Sequence, residues 1–169
     1  MTSVETKNNS SILPQKAESR QVYSSDVTEQ YVKNTQTARI ILESGYKIKT
    51  HSHEIEVAHW LVHTFGGEIV LLHESKEPGS KTPDYLWNGR YWELKSVTTY
   101  NSTDRAVREA AKQIQNNPGG IILNILENGE QIETIENAVS QRFRRINLDA
   151  VDVLFFSAMT LKKIIRYKK

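Results

Sequence analysis

The dipeptide Asn88-Gly89 stands between two short runs of large apolar residues, Tyr85-Leu86-Trp87 and Tyr91-Trp92. Both central positions of a type I′ turn need φ > 0, which Asn and Gly tolerate, so this pattern reads as a two-residue β-hairpin. Counting outward from the turn pairs Trp87 with Arg90, Leu86 with Tyr91, Tyr85 with Trp92 and Asp84 with Glu93. Directly opposed residues share a face with Cβ atoms about 4.5–5.5 Å apart, and like charges so placed repel. Lys95 falls on the same face, because side chains alternate with period two. Two carboxylates and one ammonium on one side of a short hairpin cost stability until a cation sits between the acids. A divalent metal is the expected resolver.

The chain has 169 residues and no cysteine. A chain of this length makes about one domain, and without thiolates any metal takes oxygen or imidazole ligands. No apolar stretch approaches the ~20 residues that span a bilayer, and Met1 to Ser11 lacks the apolar core of a secretory signal. A cytoplasmic place of action without membrane contact is the expectation. The net charge is only +2, but basic residues cluster at Arg142, Arg144 and Arg145 and again at Lys162, Lys163, Arg166, Lys168 and Lys169.

Residues 1–24 read as a flexible polar lead-in and 25–169 as a single domain. Residues 26–44 suggest a helix with the stripe Val27, Tyr31, Ala38, Ile41 and Leu42, ended by Gly45. A second helix starts at Ser52, buries Ala58, Leu61, Val62 and Phe65, and stops at Gly66-Gly67. Strands are expected at 69–72, 121–126, 151–156 and 161–167, the hairpin over 83–98, and further helices from about 102 to 116 and 133 to 146. The order helix, strand, hairpin, helix, strand gives an α/β fold, a mixed sheet flanked by helices.

An oxygen-only ligand set suits Mg2+ or Mn2+. Asp84 and Glu93 share such an ion in this reading, with the Leu94 carbonyl on the same strand. Such an ion polarises a phosphoryl oxygen and acidifies water, while Lys95 orients the nucleophile or stabilises developing charge. A third acid comes from the preceding helix. Periodicity leans toward Glu54, which is in line with the core face, over Glu56.

Lys81-Thr82-Pro83-Asp84 followed by Glu93-Leu94-Lys95-Ser96 resembles the signature of the PD-(D/E)XK nucleases, whose restriction-endonuclease-like core has the same element order. The chain is also similar to the C-terminal tRNA-nuclease toxin domains of contact-dependent growth inhibition proteins. That resemblance covers about residues 45–126 and includes Glu56-x-Ala58-x-x-Leu61, Gly67, the Pro-Asp, the Glu-x-Lys and Gln113. It implies metal-dependent cleavage of RNA, specifically tRNA, and neutralisation by a cognate immunity protein. It also implies that the helix acid is Glu56, two residues before the alanine. Glu56, Asp84, Glu93 and Lys95 are then the catalytic set, and Glu56, Asp84, Glu93 and Leu94 the metal set.

Arg105, Arg108 and Lys112 follow the hairpin on one helix face and are candidates for phosphate contact, with Gln113 placed to touch a phosphate or hold Lys95. A solvated charged face is the plainer alternative. The same holds for the arginine cluster and the terminal lysines, which suit nucleic acid or an acidic protein equally. His59 and His63 read as exposed helix positions, and Trp87, Tyr91 and Trp92 as strand packing. Two rival functions remain at this point: a DNA endonuclease of restriction or mobile-element type, and a non-catalytic binding module that retains the fold.

Overall fold

The computed structural model describes residues 21–32, 34–75, 77–79 and 81–169. The strands are β1 (Tyr23–Asp26), β2 (Asn34–Leu42), β3 (Gly66–Leu71), β4 (Tyr85–Trp87), β5 (Arg90–Val97), β6 (Pro118–Ile125), β7 (Ala150–Ser157) and β8 (Thr160–Lys168). The α-helices are α1 (Ser52–Phe65), α2 (Tyr100–Ile114) and α3 (Ile132–Phe143). All the strands join one sheet in the order β1-β8-β7-β6-β5-β4-β3-β2. The pairs β2–β3, β5–β6 and β6–β7 are parallel, each bridged by one α-helix, and the remaining pairs are antiparallel. The expected mixed sheet with flanking helices is therefore present. Most of the expected lead-in, residues 1–20, lies outside the described residues, and the paired strand begins at Tyr23, inside it.

Period-two alternation sorts the sheet into two apolar faces. On one, Val97, Ile121, Leu123, Val153 and Phe155 pack against Val107, Ala110 and Ile114 of α2 and Ile135, Val139 and Phe143 of α3. On the other, Ile69, Leu71, Tyr85, Trp92, Leu94, Ile122 and Leu154 meet Val57, Ala58, Leu61 and Phe65 of α1. Tyr91, Glu93, Lys95 and Val97 thus alternate with Trp92 and Leu94. The acidic residue of β5 stands on the α2 side while the indole beside it faces the α1 side.

The hairpin forms in the expected register: Tyr85 opposite Trp92, Leu86 opposite Tyr91, Trp87 opposite Arg90. Asn88 takes φ 49° and Gly89 φ 77°. Asn88 also ties the turn to the next strand, since the Glu68 amide donates to its Oδ1 at 3.0 Å. Gly67 (φ 87°) lies so close that a Cβ there would overlap this same side chain. A glycine and the turn asparagine together hold β3 and the hairpin in one register.

Two expectations shift. The helix expected over 26–44 is absent; that stretch holds β1, a 3-10 turn at Thr28–Gln30 and β2. The reason is the weak stripe. Thr37, Ile40 and Ile41 are β-branched and stiff at χ1, and β2 gains a parallel ladder on β3, Arg39 opposite Glu68 and Ile40 opposite Ile69. Ala38, inward in the helical reading, is exposed. Helix α2 begins earlier than expected, because Thr99 and Ser102 form a reciprocal capping box: the Thr99 hydroxyl accepts from the Ser102 amide at 3.1 Å and Ser102 Oγ from the Thr99 amide at 2.9 Å.

The β7–β8 turn places Ala158 at φ 49° and Met159 at φ 56°, a left-handed conformation disfavoured for residues with a Cβ. Ala158 is exposed, so Ala158→Asn removes part of that cost without touching the core. It should raise stability by about 0.5–1 kcal/mol, or a few degrees in Tm. Thermal unfolding by circular dichroism measures the shift.

Candidate active site

Asp84 sits just before β4, facing the middle of β5, and the two acids are tied together by each other's strands. The Asp84 amide donates to Glu93 Oε2 at 3.0 Å, and the Leu94 amide donates to Asp84 Oδ2 at 2.9 Å. Each carboxylate thus accepts a backbone N–H from the opposite strand. Glu93 is 3% exposed. Lys95, on the same face as expected, brings Nζ to 3.2 Å from Glu93 Oε1.

Burial dominates the electrostatics. It pushes the Asp84 carboxyl up to about 8, helped by the negative charges of Glu93 and Glu54, while the Leu94 amide opposes the shift. Glu93 is also raised by burial, and the Lys95 ammonium pulls it back. An isolated buried carboxylate is costly, so burial favours the protonated form of both acids unless another cation arrives.

The α1 acid whose charge acts on Asp84 is Glu54. Its Oε2 accepts the Tyr46 hydroxyl at 2.9 Å and lies 3.1 Å from His51 Nδ1. Its backbone carbonyl accepts the hydroxyl of the buried Tyr85 at 2.6 Å, one residue from Asp84. Glu56, the acid implied by the family resemblance, lies elsewhere: its side chain is 64% exposed and reaches only His53, at 4.0 Å. Two residues along an α-helix is a rotation of about 200°, so only one of these acids faces the sheet. Tyr46, His51 and Tyr85 join the site with no motif to announce them. A histidine three residues before an acid, at a helix start, is the available signal for His51.

Asp84 and Glu93 form a donor set that fits a hard divalent cation. One oxygen of each is held by an amide, which leaves Asp84 Oδ1 and, beside the lysine, Glu93 Oε1. Leu94 directs its amide toward Asp84, and in an extended strand the carbonyl of the same residue points to the same neighbour. Among the described residues no group of three or more His, Cys, Asp or Glu side chains converges as a metal cluster, so this fit rests on two carboxylates, a carbonyl and water.

Next to Lys95 a cleft of about 260 Å³ is lined by Glu74, Ser75, Lys81, Thr82, Glu109 and Gln113. Gln113 is thus brought to the site, with Oε1 buried and without a hydrogen-bond partner among the described residues. Arg105, Arg108 and Lys112 are exposed on α2 and do not line that cleft. Several of the clustered cations are committed to acids of the fold. Arg142 makes a two-armed contact with Asp104, at 2.8 and 2.5 Å, and Arg145 joins at 3.5 Å. Lys163 pairs with Glu136 and Arg166 with Asp152.

Residues 81–155 match the family model of the contact-dependent growth inhibition CdiA C-terminal domain. The matched stretch contains Asp84, Glu93, Lys95 and α2, and leaves out α1 with Glu54 and Glu56. Among solved structures the chain is similar to a CdiA-CT/CdiI toxin and immunity complex from Burkholderia pseudomallei, with a TM-score of 0.49 and 16% identity over 74% of this chain and 97% of that one. No curated protein matches the chain.

The acid cluster has a pH signature. A carboxyl whose folded-state pKa lies above its unfolded value stabilises the fold when protonated, so stability falls as pH rises from about 4 toward 8. Asp84 faces Glu93 and Glu54, with Lys95 beyond Glu93. In chelator, the wild type should be more stable at pH 5 than at pH 8, by roughly 1–3 kcal/mol. Asp84→Asn should flatten this slope and be the more stable protein at pH 8. Urea midpoints at the two pH values test both statements.

Proposed function

We propose that this chain is a toxin-type, metal-dependent endonuclease that hydrolyses RNA phosphodiester bonds, with tRNA as the substrate and a PD-(D/E)XK core as its catalytic frame. The observation that carries the reading is the Asp84–Glu93–Lys95 arrangement: two carboxylates clasped across a hairpin, with an ammonium 3.2 Å from one of them. A fold gains nothing in stability by burying such a pair, and a site for a hard cation gives it a purpose. The match of residues 81–155 to the CdiA C-terminal domain model supports the toxin reading. The choice of RNA, and of tRNA within it, follows the resemblance to tRNA-nuclease toxin domains, as does a cognate immunity protein as partner. Among the described residues no helix is long and apolar enough to cross a membrane.

In this reading Asp84, Glu93 and the Leu94 carbonyl hold Mg2+ or Mn2+, which supplies a Lewis acid for the phosphoryl oxygen and lowers the pKa of water. Glu54, held by Tyr46 and His51, takes the role of the helix acid. Lys95 stabilises the charge that develops at phosphorus, the task for which a preorganised cation in a water-poor site is most effective. Gln113 lines the cleft that the scissile phosphate enters. Arg105, Arg108 and Lys112 hold the strand farther out through its phosphates.

The chain incubated with Mg2+ or Mn2+ should cleave total tRNA and leave plasmid DNA intact, and EDTA should abolish the reaction. Cleavage of the plasmid instead would assign the DNA endonuclease, and cleavage of neither the binding module. Asp84→Asn and Glu93→Gln should each lower the rate by at least about 10²-fold, the upper end of losses seen for outer-sphere partners. Glu54→Gln should lower it more than Glu56→Gln does. Gel-resolved rates with thermal unfolding as a folding control decide each case.

A further inference from the structure

A second cleft, of about 360 Å³, opens at the turn end of the hairpin on the α1 side of the sheet, where Trp87, Arg90 and Trp92 meet Tyr31, Gly119 and Asp152. This volume falls in the range of small-molecule sites. Its walls are aromatic: the Trp87 and Trp92 rings lie 5.0 Å apart, and Tyr31 stands 6.1 and 6.2 Å from them. Its base is a closed polar network in which Arg166 gives two hydrogen bonds to Asp152, at 2.7 and 2.9 Å, and Tyr31 donates its hydroxyl to the same carboxylate. Gly119 and Gly120 make room for the Trp92 indole. A Cβ on Gly119 would overlap Trp92 Nε1, and one on Gly120 the Trp92 ring and the Asp152 carbonyl.

Two groups in this cleft are left over by the fold. Trp87 gives its indole N–H to the Gly66 carbonyl. Trp92 is 4% exposed, yet its Nε1–H has no acceptor among the described residues, and it is not sealed from the cleft. Arg90 at the rim is exposed and forms no ion pair among the described residues. The indole N–H needs an acceptor, the half-buried Tyr31 ring offers an apolar wall backed by the buried indoles, and among the described residues the guanidinium lacks an anion. We propose that this cleft binds a nucleotide, with the base against the aromatic wall accepting from Trp92 Nε1 and the phosphate on Arg90. Base–aromatic stacking tolerates any base, and Arg pairs with phosphate through two parallel N–H bonds. Arg90 lies three residues along β5 from Glu93, about 10 Å at strand rise and on the opposite face of the sheet. The cleft's use by a substrate strand rests on the nuclease reading; nucleotide binding itself does not.

The test is calorimetric titration of the full chain in EDTA with AMP, GMP, CMP, UMP, inorganic phosphate and a four-nucleotide RNA. At least one mononucleotide should bind, and inorganic phosphate should bind about tenfold more weakly, since stacking is lost. Arg90→Ala, at an exposed position where folding is safe, should weaken nucleotide binding about tenfold, and Trp92→Phe, which keeps a ring but removes the donor, by a similar factor. Equal affinity for the mononucleotide and the RNA identifies a free nucleotide as the ligand; tighter RNA binding that both substitutions weaken identifies a base within a strand. Either result supports the cleft. No binding of any mononucleotide or of the RNA, or binding that both substitutions leave unchanged, overturns it. If tRNA is cleaved while KM ignores Arg90→Ala and nucleotides do not bind, the cleft proposal fails alone. If nucleotides bind as described but no nucleic acid is cleaved, the nuclease reading fails alone.

Discussion

Two backbone amides decide where the paired acids of this chain sit. The Asp84 amide holds a Glu93 oxygen and the Leu94 amide holds an Asp84 oxygen, so each acid is fixed by the strand opposite its own. Charge-assisted bonds of this kind are stronger than neutral ones, and they keep the carboxylates side by side against mutual repulsion. The hairpin register then has little freedom, because a one-residue slip would carry Glu93 to the α1 face. The Asn88 side chain locks the same register from the other end of the hairpin. What looks like a local strand pairing is thus also the frame of the acid cluster.

The cluster runs against the ordinary rules of burial, and its surroundings absorb the conflict. Asp84 is pushed toward the neutral form by burial and by two neighbouring acids, and the ammonium in contact with the pair, Lys95, reaches Glu93 rather than Asp84. A chain selected for stability alone gains by replacing such a pair with apolar residues of similar volume. Violations of this kind concentrate where function demands them. The apolar layers on either side, α1 on one face and α2 with α3 on the other, hold the sheet together against a locally unfavourable charge arrangement.

The hairpin, its register and the Lys95 face are legible in the sequence because each depends on neighbours a few residues apart. Helix α1 and the apolar stripe of α2 are legible for the same reason. Three features are not. The β2 edge strand reads as a helix, since Val27, Tyr31 and Ala38 fall at helical spacing and nothing local reveals that β3 offers a partner. The β7–β8 turn carries Ala158-Met159 at positive φ with neither Gly nor Asn to announce it. The helix acid turns on side-chain direction. Periodicity leans toward Glu54 while the family pattern implies Glu56, and the Tyr46 and Tyr85 hydroxyls that seat Glu54 come from elements outside its helix.

The charge map shows why composition says so little about where the free cations of this chain lie. A net charge of +2 is a small difference between many cations and many acids, and the fold ties up several of the cations internally. Asp104 takes Arg142 and Arg145, Glu136 takes Lys163, and Asp152 takes Arg166. These pairs join α2 to the end of α3, α3 to β8 and β7 to β8, so they serve architecture. Arg105, Arg108 and Lys112 form an exposed row on α2, the helix that also lines the Lys95 cleft through Glu109 and Gln113. A modest excess of positive charge makes a local field when it is concentrated on one helix face, and this row concentrates it on the helix that leads to Lys95.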